Sequence, residues 1–456
     1  MRLPLPLGKK AGRAKVPMEG VERLVNGYLE SVPEGKEPTP VYGTPGLVAW
    51  STGLPGPPRG MLEMTDRLFV VAGTNLYEIA ANGVASVKGA IPGADRVAMA
   101  GDGVHVVIVS AGLIYVFDGA STQVVTDPDA PEASGVAWVD GYFVFTERDT
   151  DVFFACELDD PLNFDALDFA SAEWKPDILI TPIILRRTLF LAGKQTIEAQ
   201  QNTGGVDFPF QRYQDVMVDV GFAGREAGVV TNDTMYFLAS DRTVRRLDGI
   251  TAVRISNHDI ERQIKTWPNP EQTIATAHVW EGHLFVTFRN PAGTIVFDQS
   301  TELWPERKSF GSETWRATFY ARCFGHDLFA DSRTGTIFRL DANTHTEAGE
   351  PLIFEMTTPY AYAQGLDFSV DEVEVIAQTA VGSLTLDPKI TLETTKDGEV
   401  FAHRIERRMG KFGERTKRIS FGPQGSADAM AFRLTIADPV RRAILGVYVD
   451  IDVERD

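Results

Sequence analysis

The residues that could do chemistry are few, and their spacing suits none of the common catalytic sites. Cys156 and Cys323 are the only cysteines and lie far apart, so they form neither a disulfide framework nor a CxxC metal pair. The chain has no Gly-x-Ser-x-Gly elbow for a serine nucleophile, no phosphate-binding Gly-x-x-x-x-Gly-Lys loop and no His-Glu-x-x-His zinc motif. We therefore predict that the protein is not an enzyme and has no catalytic residue, no cofactor and no metal site.

Two acidic patterns come closer to a known site. Residues 395–401 are similar to the Asp-box hairpin of sialidase propellers but are one residue short of it, and a catalytic pair of carboxylates cannot be singled out among 63 acids. Residues 147–177 hold ten acids against two bases, but Asp159 and Asp160 are adjacent and lack the ligand spacing and glycine bend of a calcium loop. We interpret this stretch as a solvated acidic loop.

Basic residues are concentrated in two stretches of the chain. Residues 1–17 contain five bases and no acid, and residues 404–418 contain seven bases and two acids. Because residues 147–177 carry the opposite charge, residues 404–418 would suit a head-to-tail contact with them in a ring of identical subunits. The alternative is that both basic stretches are solvated surfaces. The candidate assembly contacts are Arg2, Lys9, Lys10, Arg13, Lys15, Arg404, Arg407, Arg408, Arg415 and Arg418.

Composition and charge limit the kinds of partner. The 456 residues are 43% apolar and 23% charged, which is typical of a folded soluble protein, and the net charge is −19. A chain this acidic repels phosphate, so it is not expected to wrap or read DNA, although an acidic surface could line a passage for double-stranded DNA. We find no secretory signal, and the most apolar run, residues 178–185, is too short to span a membrane. We expect synthesis and folding in a cytoplasm.

A recurring β-hairpin dominates the first three quarters of the chain. Each copy has two strands of alternating apolar residues joined by a short polar or glycine turn, and the turns recur at an interval of about 40–50 residues. Four-stranded propeller blades recur at this spacing. We therefore predict an all-β protein in which residues 41–345 form a β-propeller-like array of six or seven degenerate blades; the alternative is a set of unrelated meanders. The hairpins lie at residues 67–79, 104–118, 136–154, 188–198, 235–247, 283–297 and 327–340.

The two ends of the chain differ from this array. Longer strands and an Asp397-Gly398 turn predict a C-terminal antiparallel β-sandwich over residues 351–456. Residues 1–40 are basic and contain six prolines, so we expect an N-terminal arm that buries little surface and docks on a neighbouring subunit or stays mobile. Deleting residues 1–17 should then leave the melting transition unchanged. Helical signals are weak, apart from one short helix predicted over residues 257–265 with Asn257 or Asp259 as its cap.

A set of short motifs follows in a fixed order from residue 25 to residue 439. They are Val25-Asn-Gly-Tyr28, Gly43-Thr-Pro-Gly-Leu47, Arg59-Gly60, Leu76-Tyr77, Glu157-Leu-Asp-Asp-Pro161, residues 170–178, Gly193-Lys-Gln-Thr-Ile-Glu198 with Thr203-Gly204, residues 394–398, and Phe432-Arg-Leu434 with Asp438-Pro439. In this order they resemble the packaged-DNA stabilisation, or tail hub (nozzle), proteins of short-tailed bacteriophages. The resemblance covers nearly the whole chain.

This resemblance implies a structural protein of the virion. Members of that family form a six-fold hub below the portal and its adaptor ring, line and help to close the channel through which DNA leaves, and stabilise the packaged DNA. They offer surfaces for tail spikes or fibres and for a tip plug protein, and they have no catalytic residues to carry over to this sequence. The alternatives are a glycan-binding or glycan-hydrolysing propeller and a cytoplasmic propeller scaffold.

Overall fold

The computed structural model describes residues 1–10, 14–35, 37–172, 175–205, 208–363 and 365–453. The chain starts with five short strands, four of which pair with strands from much later in the sequence, so the N-terminus is tied to both of the domains that follow. These strands are β1 (Arg2–Leu5), β2 (Arg23–Val25), β3 (Gly27–Leu29), β4 (Val41–Gly43) and β5 (Gly46–Ser51).

Seven antiparallel sheets follow, and in the described residues they form the seven blades of a propeller. Blades 1 to 5 have four strands each, blade 6 has three, and blade 7 takes β5 as its fourth strand. The strands are β6–β9 (Pro58–Met64, Arg67–Ala72, Asn75–Ile79, Ala85–Ala90), β10–β13 (Ala98–Gly101, Val106–Ser110, Leu113–Phe117, Thr122–Val124), β14–β17 (Ala133–Val139, Tyr142–Glu147, Val152–Ala155, Phe169–Ser171), β18–β21 (Leu179–Leu185, Thr188–Gly193, Ile197–Asn202, Phe210–Val218), β22–β25 (Gly228–Thr231, Thr234–Leu238, Val244–Asp248, Thr251–Arg254), β26–β28 (Ile274–Trp280, His283–Asn290, Gly293–Asp298), and β29–β33 (Ala317–Cys323, His326–Asp331, Ile337–Asp341, Thr346–Glu347, Glu350–Pro351).

The seven predicted hairpins are the second and third strands of the seven blades. Their alternating side chains face the two neighbouring blades, and adjacent blades share one apolar layer; Phe69 of blade 1, for example, packs on Phe117 of blade 2. A single blade would leave both of these faces in water, which explains why the blades close into a ring. β29 lies beside β6, and β5 pairs with β31, so a strand from the start of the chain fastens the last blade.

One α-helix is present in the described residues and lies between blades 5 and 6. Helix α1 spans His258–Lys265, and the side chain of Asn257 accepts hydrogen bonds from the backbone N–H groups of Asp259 and Ile260. This confirms the predicted helix and selects Asn257 as its cap. Ile260 and Ile264 are buried among apolar side chains of the two neighbouring blades. No described helix is long and apolar enough to cross a membrane.

The C-terminal domain is a sandwich of two sheets, as predicted. One sheet has the order β3-β4-β42-β36-β39, with β1 on β42 and β40 on β36; the other has the order β2-β34-β41-β37-β38, with β35 on β41. Both sheets therefore begin with N-terminal strands next to the propeller and end in β38 and β39 on the far side. The strands are β34 (Phe354–Thr357), β35 (Ala361–Tyr362), β36 (Phe368–Ala377), β37 (Lys389–Thr395), β38 (Ala402–Arg408), β39 (Ile419–Phe421), β40 (Gly425–Ala427), β41 (Ala429–Ile436) and β42 (Ala443–Val453).

The N-terminal segment is built into the fold, which differs from the loose arm that the sequence predicts. β1 pairs with β42 from Arg2 to Leu5, and Leu5, Leu7 and Leu24 are buried in the sandwich core. Prolines are compatible with an edge strand such as β1, because its outer backbone groups need no partner. The alternating Leu-Pro-Leu-Pro-Leu sequence thus supplies buried side chains to a sheet in which its neighbour, β42, comes from the opposite end of the chain.

Candidate assembly surfaces and the propeller axis

The first strands of the blades surround a small cavity on the axis of the propeller. Its volume is about 270 Å³, and its walls come from the first strands of the blades, with Met61, Met99, Val136, Thr181, Val229, Thr276 and Tyr320 among the lining residues. That volume is below the ~300–1,000 Å³ of a drug-sized ligand site. A DNA duplex therefore cannot pass along the axis of a single subunit.

Two arginines and a carboxylate tie several blades together beside this cavity. The guanidinium of Arg225 donates to the backbone oxygens of Ser134 and Arg96, at 3.2 Å and 2.8 Å. Arg96 in turn pairs with the carboxylate of Glu226 at 3.1 Å. Ser134 belongs to blade 3, whereas Arg225 and Glu226 lie in the segment that leads into blade 5 and Arg96 lies in the segment that leads into blade 2. All three ionic side chains have partners, so the cluster fixes the blades and leaves no free reactive group.

Two buried histidines and both cysteines occupy structural positions. Burial and the charge of Arg307 lower the pKa of His278 to about 3, so this ring is neutral at physiological pH. His283 Nδ1 donates to the carboxylate of Asp298 at 2.9 Å, a contact that raises the pKa of His283. Cys156 and Cys323 are separate buried thiols, and burial raises the pKa of each to about 12. Within the residues described, no three metal-binding side chains come together.

The propeller and the sandwich meet in a junction of buried polar groups. Asn26 has its backbone in the left-handed region (φ 53°); its side chain donates to the backbone oxygens of Lys308 and Ile353, at 2.9 Å and 2.8 Å, and accepts from Lys308 N–H at 3.0 Å. Arg23 of β2 holds Glu306 with two bonds, at 2.9 Å and 2.7 Å. Since residues 306–308 belong to the propeller and 353 to the sandwich, these side chains fix one domain on the other.

Several motifs that carry the family resemblance are structural turns. Asp177 is buried and accepts from the backbone N–H groups of Gln195 and Thr196, at 2.7 Å and 2.8 Å, and from the Thr196 hydroxyl at 3.1 Å. A Cβ at Gly193 would lie only 2.2 Å from the Asp177 carboxylate, which explains the glycine in that motif. The buried guanidinium of Arg59 binds the backbone of the segment between blades 1 and 2, and the hydroxyl of Ser110 at 2.8 Å.

The predicted contacts of the N-terminal stretch lie on the sandwich and beside helix α1. Arg2 forms an ion pair with Glu374 of β36 and lies over the Tyr448 ring. Lys10 lies 3.7 Å from Glu22 and 3.9 Å from Asp259 of helix α1. The side chains of Lys9 and Lys15 are exposed. Arg13 falls outside the residues that the structure describes. Two of the four cations that the structure describes are therefore already paired within the chain.

The second basic stretch forms the far edge of the sandwich. Arg418 binds Glu372 and Glu374, at 2.8 Å and 2.9 Å, so it shares a carboxylate with Arg2. The remaining members are less constrained: Arg407 donates to the Ser420 backbone oxygen at 2.8 Å, Arg404 lies 3.4 Å from Glu406, and Arg408 lies 3.5 Å from Asp387. Arg415 is exposed, and no ion pair of its side chain is found among the described residues. The structure thus brings Arg2 and Arg418 together and leaves Arg408 and Arg415 facing solvent.

The acidic stretch lies on blade 3 and in the segment leading to blade 4. Its loop between β16 and β17 folds back on the blade, where the backbone N–H of Ala155 donates to the backbone oxygen of Asp168 at 3.1 Å. Burial and the charges of Asp165 and Glu157 raise the pKa of Asp168. Sequence reasoning did not single out the exposed apolar residues Leu158 and Leu167 in this loop, because apolar residues in an irregular segment carry no periodicity that tells exposure from burial.

Two family models match successive parts of the chain. The model described as bacteriophage P22 Gp10, beta-propeller, matches residues 22–345, and the model described as bacteriophage P22 Gp10, beta-sandwich, matches residues 353–452. A search among curated proteins gave no match. Together the two models cover most of the 456 residues and name the same two domains that the structure contains.

Similar solved structures come from several sources. The designed protein Ika8 shares 14% identity over 73% of this chain and 99% of its own, with a TM-score of 0.43. BamB from Moraxella catarrhalis shares 11% over 74% and 100%, with a TM-score of 0.39. The extracellular domain of BT4673 from B. thetaiotaomicron shares 8% over 86% and 58%, with a TM-score of 0.46. Likenesses this weak carry no information about function. On the strength of the two family matches, the chain belongs to the family of the phage P22 stabilisation protein Gp10.

Proposed function

We propose that this protein is the tail hub, or nozzle, of a short-tailed bacteriophage. It would form a ring of six copies below the portal and its adaptor ring, line and help to close the DNA exit channel, and stabilise the packaged DNA. The observation that carries the proposal is the match of both domains, over residues 22–345 and 353–452, to the phage P22 Gp10 models. The protein would be made in the cytoplasm of the host bacterium and act in the virion.

The DNA channel of such a hub would run between subunits. The 270 Å³ cavity on the propeller axis, beside the Arg96–Glu226 pair, is too small for a duplex, so the duplex could pass only through the lumen of a ring. A net charge of −19 suits that lumen, because carboxylates repel the closely spaced phosphates of DNA and so keep the moving duplex from sticking. No sequence-specific readout is expected. The structure also supports a non-enzymatic role, since His278, His283 and both cysteines are buried.

The outer surfaces of the ring would bind the other proteins of the tail. The portal–adaptor complex would sit on one face, a tip plug protein would close the other, and tail spikes or fibres would attach at the periphery. Rigid coupling of the propeller to the sandwich supports this role, because the bidentate Arg23–Glu306 pair and the Asn26 hydrogen bonds prevent one domain from turning on the other. A hub that moved at this junction could not hold its partners in register.

Reconstitution tests the proposed function. The purified chain would be mixed with a portal–adaptor complex and imaged by negative stain, with the portal lacking its adaptor as the matched control. We expect six-fold density below the adaptor and none on the control. A chain that stays monomeric and leaves the adaptor bare would contradict the hub, and turnover or binding of a capsular glycan by that monomer would favour a glycan-acting propeller instead.

A further inference from the structure

Two surfaces at opposite ends of the molecule combine exposed apolar side chains with opposite charge. The first, called the sandwich pole here, consists of the loops at residues 378–388 and 409–418. Leu384 and Phe412 are 81% and 69% exposed, and both loops pack on each other, since the Met409 N–H binds the Pro388 oxygen at 2.7 Å and the Thr379 hydroxyl binds the Arg415 oxygen at 2.9 Å. The cations of these loops are Lys411, Arg415, Lys417 and Arg418, and Arg408 directly precedes the second loop.

The second surface, called the blade 3 pole, is the loop of residues 157–169. Leu158 and Leu167 are 58% and 75% exposed, and Phe169 at the end of the loop is also exposed. Their acidic neighbours are Glu157, Asp159, Asp160, Asp165 and Asp168. Large exposed apolar side chains within a charged rim are the usual make-up of a protein–protein contact, and the two poles carry rims of opposite sign.

The architecture places these poles as far apart as the molecule allows. The sandwich joins the propeller at blades 6 and 7: Glu306 beside β28 bridges to Val25 of β2, and Tyr28 packs on Phe285 of blade 6 at 5.6 Å. In a ring of seven blades, blade 3 lies opposite the boundary between blades 6 and 7. Within the sandwich, β38 and β39 form the edge farthest from the propeller, and residues 409–418 connect them. One subunit therefore cannot bring its own two poles together.

We propose that the sandwich pole of one subunit binds the blade 3 pole of the next copy of this chain. Leu384 and Phe412 would pack against Leu158 and Leu167, and the cations of one rim would face the acids of the other. A contact between two different surfaces is heterologous, and when the rotation closes it produces a ring. This inference rests on the proposed hub function and names the surfaces that hold the ring together.

Ion pairs within the subunit determine which cations are available for the contact with the next subunit. Arg418 and Arg2 already bind Glu372 and Glu374 on β36, so they contribute little charge to a neighbour. Lys411 and Arg415 have no ion pair within the part of the chain described, and Arg408 is 70% exposed, with its one carboxylate, Asp387, at 3.5 Å. On the acidic side, Glu157 and Asp165 are exposed and lie close enough to raise the pKa of Asp168, so an incoming cation would relieve their mutual repulsion.

A charge-swap experiment tests the contact. One variant carries Arg408→Glu and Lys411→Glu, a second carries Glu157→Lys and Asp165→Lys, and a third carries all four changes. Ring formation is measured by sedimentation velocity across protein concentrations at low salt, with folding checked by circular dichroism. A matched control reverses two cations elsewhere, Arg322→Glu and Lys265→Glu. We expect each one-sided variant to need about tenfold more protein to form rings, and the four-fold variant to recover most of this loss.

The apolar part is tested separately. Phe412→Ser and Leu167→Ser should weaken the ring at every salt concentration, whereas the charge effect should fade as salt screens it over about 10 Å. If the one-sided variants and both serine variants form rings as readily as the wild type does, this contact is overturned and the hub is left intact. A wild-type chain that remains monomeric at all concentrations, and also with the portal–adaptor complex, would overturn the hub and the contact together.

Discussion

Replacing Asn26 with alanine should lower the free energy of unfolding. Among single changes at the domain junction that leave the core volume intact, we expect this one to have the largest effect. The side chain of Asn26 makes three hydrogen bonds, to the backbone N–H and oxygen of Lys308 and to the Ile353 oxygen, and Asn26 is 1% exposed. Each buried group left without a partner costs ~1–3 kcal/mol. Alanine at a φ of 53° adds ~1 kcal/mol of backbone strain. Three such groups and the backbone strain together give an expected loss of at least about 4 kcal/mol.

The measurement is urea unfolding followed by tryptophan fluorescence and by circular dichroism, because the seven tryptophans and the strands report different parts of the fold. Asn232→Ala is the matched control. Asn232 has a φ of 47°, lies in the exposed turn between β22 and β23, and makes no side-chain hydrogen bond found in the described structure. It should lose only the ~1 kcal/mol of backbone strain. Asn26→Gly removes the strain but keeps the hydrogen-bond loss, so it should remain clearly less stable than the wild type.

The result that would refute this reasoning is equal stability of Asn26→Ala and Asn232→Ala. That outcome would mean that water replaces the three hydrogen bonds at no cost, and that the junction is held by apolar packing alone. A separation of the fluorescence and circular dichroism transitions in Asn26→Ala, absent from the wild type, would instead show that the two domains have lost their coupling, as the position of Asn26 between Lys308 and Ile353 requires.

Three other contacts can be tested by the same unfolding assay. Deleting residues 1–10 should lower the stability by at least ~3 kcal/mol, because it removes β1 and two buried leucines from the sandwich core. Asp177→Ala should cost ~2–4 kcal/mol, since three donors lose their acceptor, and Thr196→Val should cost less. Arg67 and then Lys88 lower the pKa of Glu78 to about 2 from 4.5. The ionised Glu78 carboxylate therefore contributes fully to the free energy of unfolding above pH 4.5, and this contribution is lost as the pH falls to about 2. The difference in stability between the wild type and Glu78→Gln should shrink over that pH range.

The sequence predicts those parts of the fold whose signals are local. Strands β7 and β8 alternate apolar and polar residues around a glycine turn, and this pattern is enough to place the second and third strands of a blade. The same reasoning predicts the antiparallel β-sandwich of the C-terminal domain. The first strands of the blades are harder to predict from the sequence, because a short segment such as Gly228–Thr231 has neither regular alternation of apolar residues nor a turn signal of its own.

Features that depend on long-range pairing could not be predicted. β5 fastens blade 7 by pairing with β31, which lies at the far end of the propeller sequence, and nothing within Gly46–Ser51 indicates that partner. The same holds for β1 and β42, which is why the sequence predicts a loose N-terminal arm. Charge can be counted from the sequence, but ion pairing cannot: Arg418 and Arg408 look alike in the sequence, yet Arg418 binds two carboxylates and Arg408 faces solvent.

These long-range pairings bear directly on how a ring could close. A head-to-tail contact yields a closed ring only when the angle between its two surfaces is the same in every subunit; a variable angle gives open or irregular assemblies. Here the angle between blade 3 and the far edge of the sandwich is set by strands that cross between the domains, with Val25 bridging to Glu306 and Thr44 binding Arg442 at 2.7 Å. In the proposed ring, strands β1 to β5 would contribute to assembly chiefly by fixing this angle, and the basic charge at the start of the chain would be secondary.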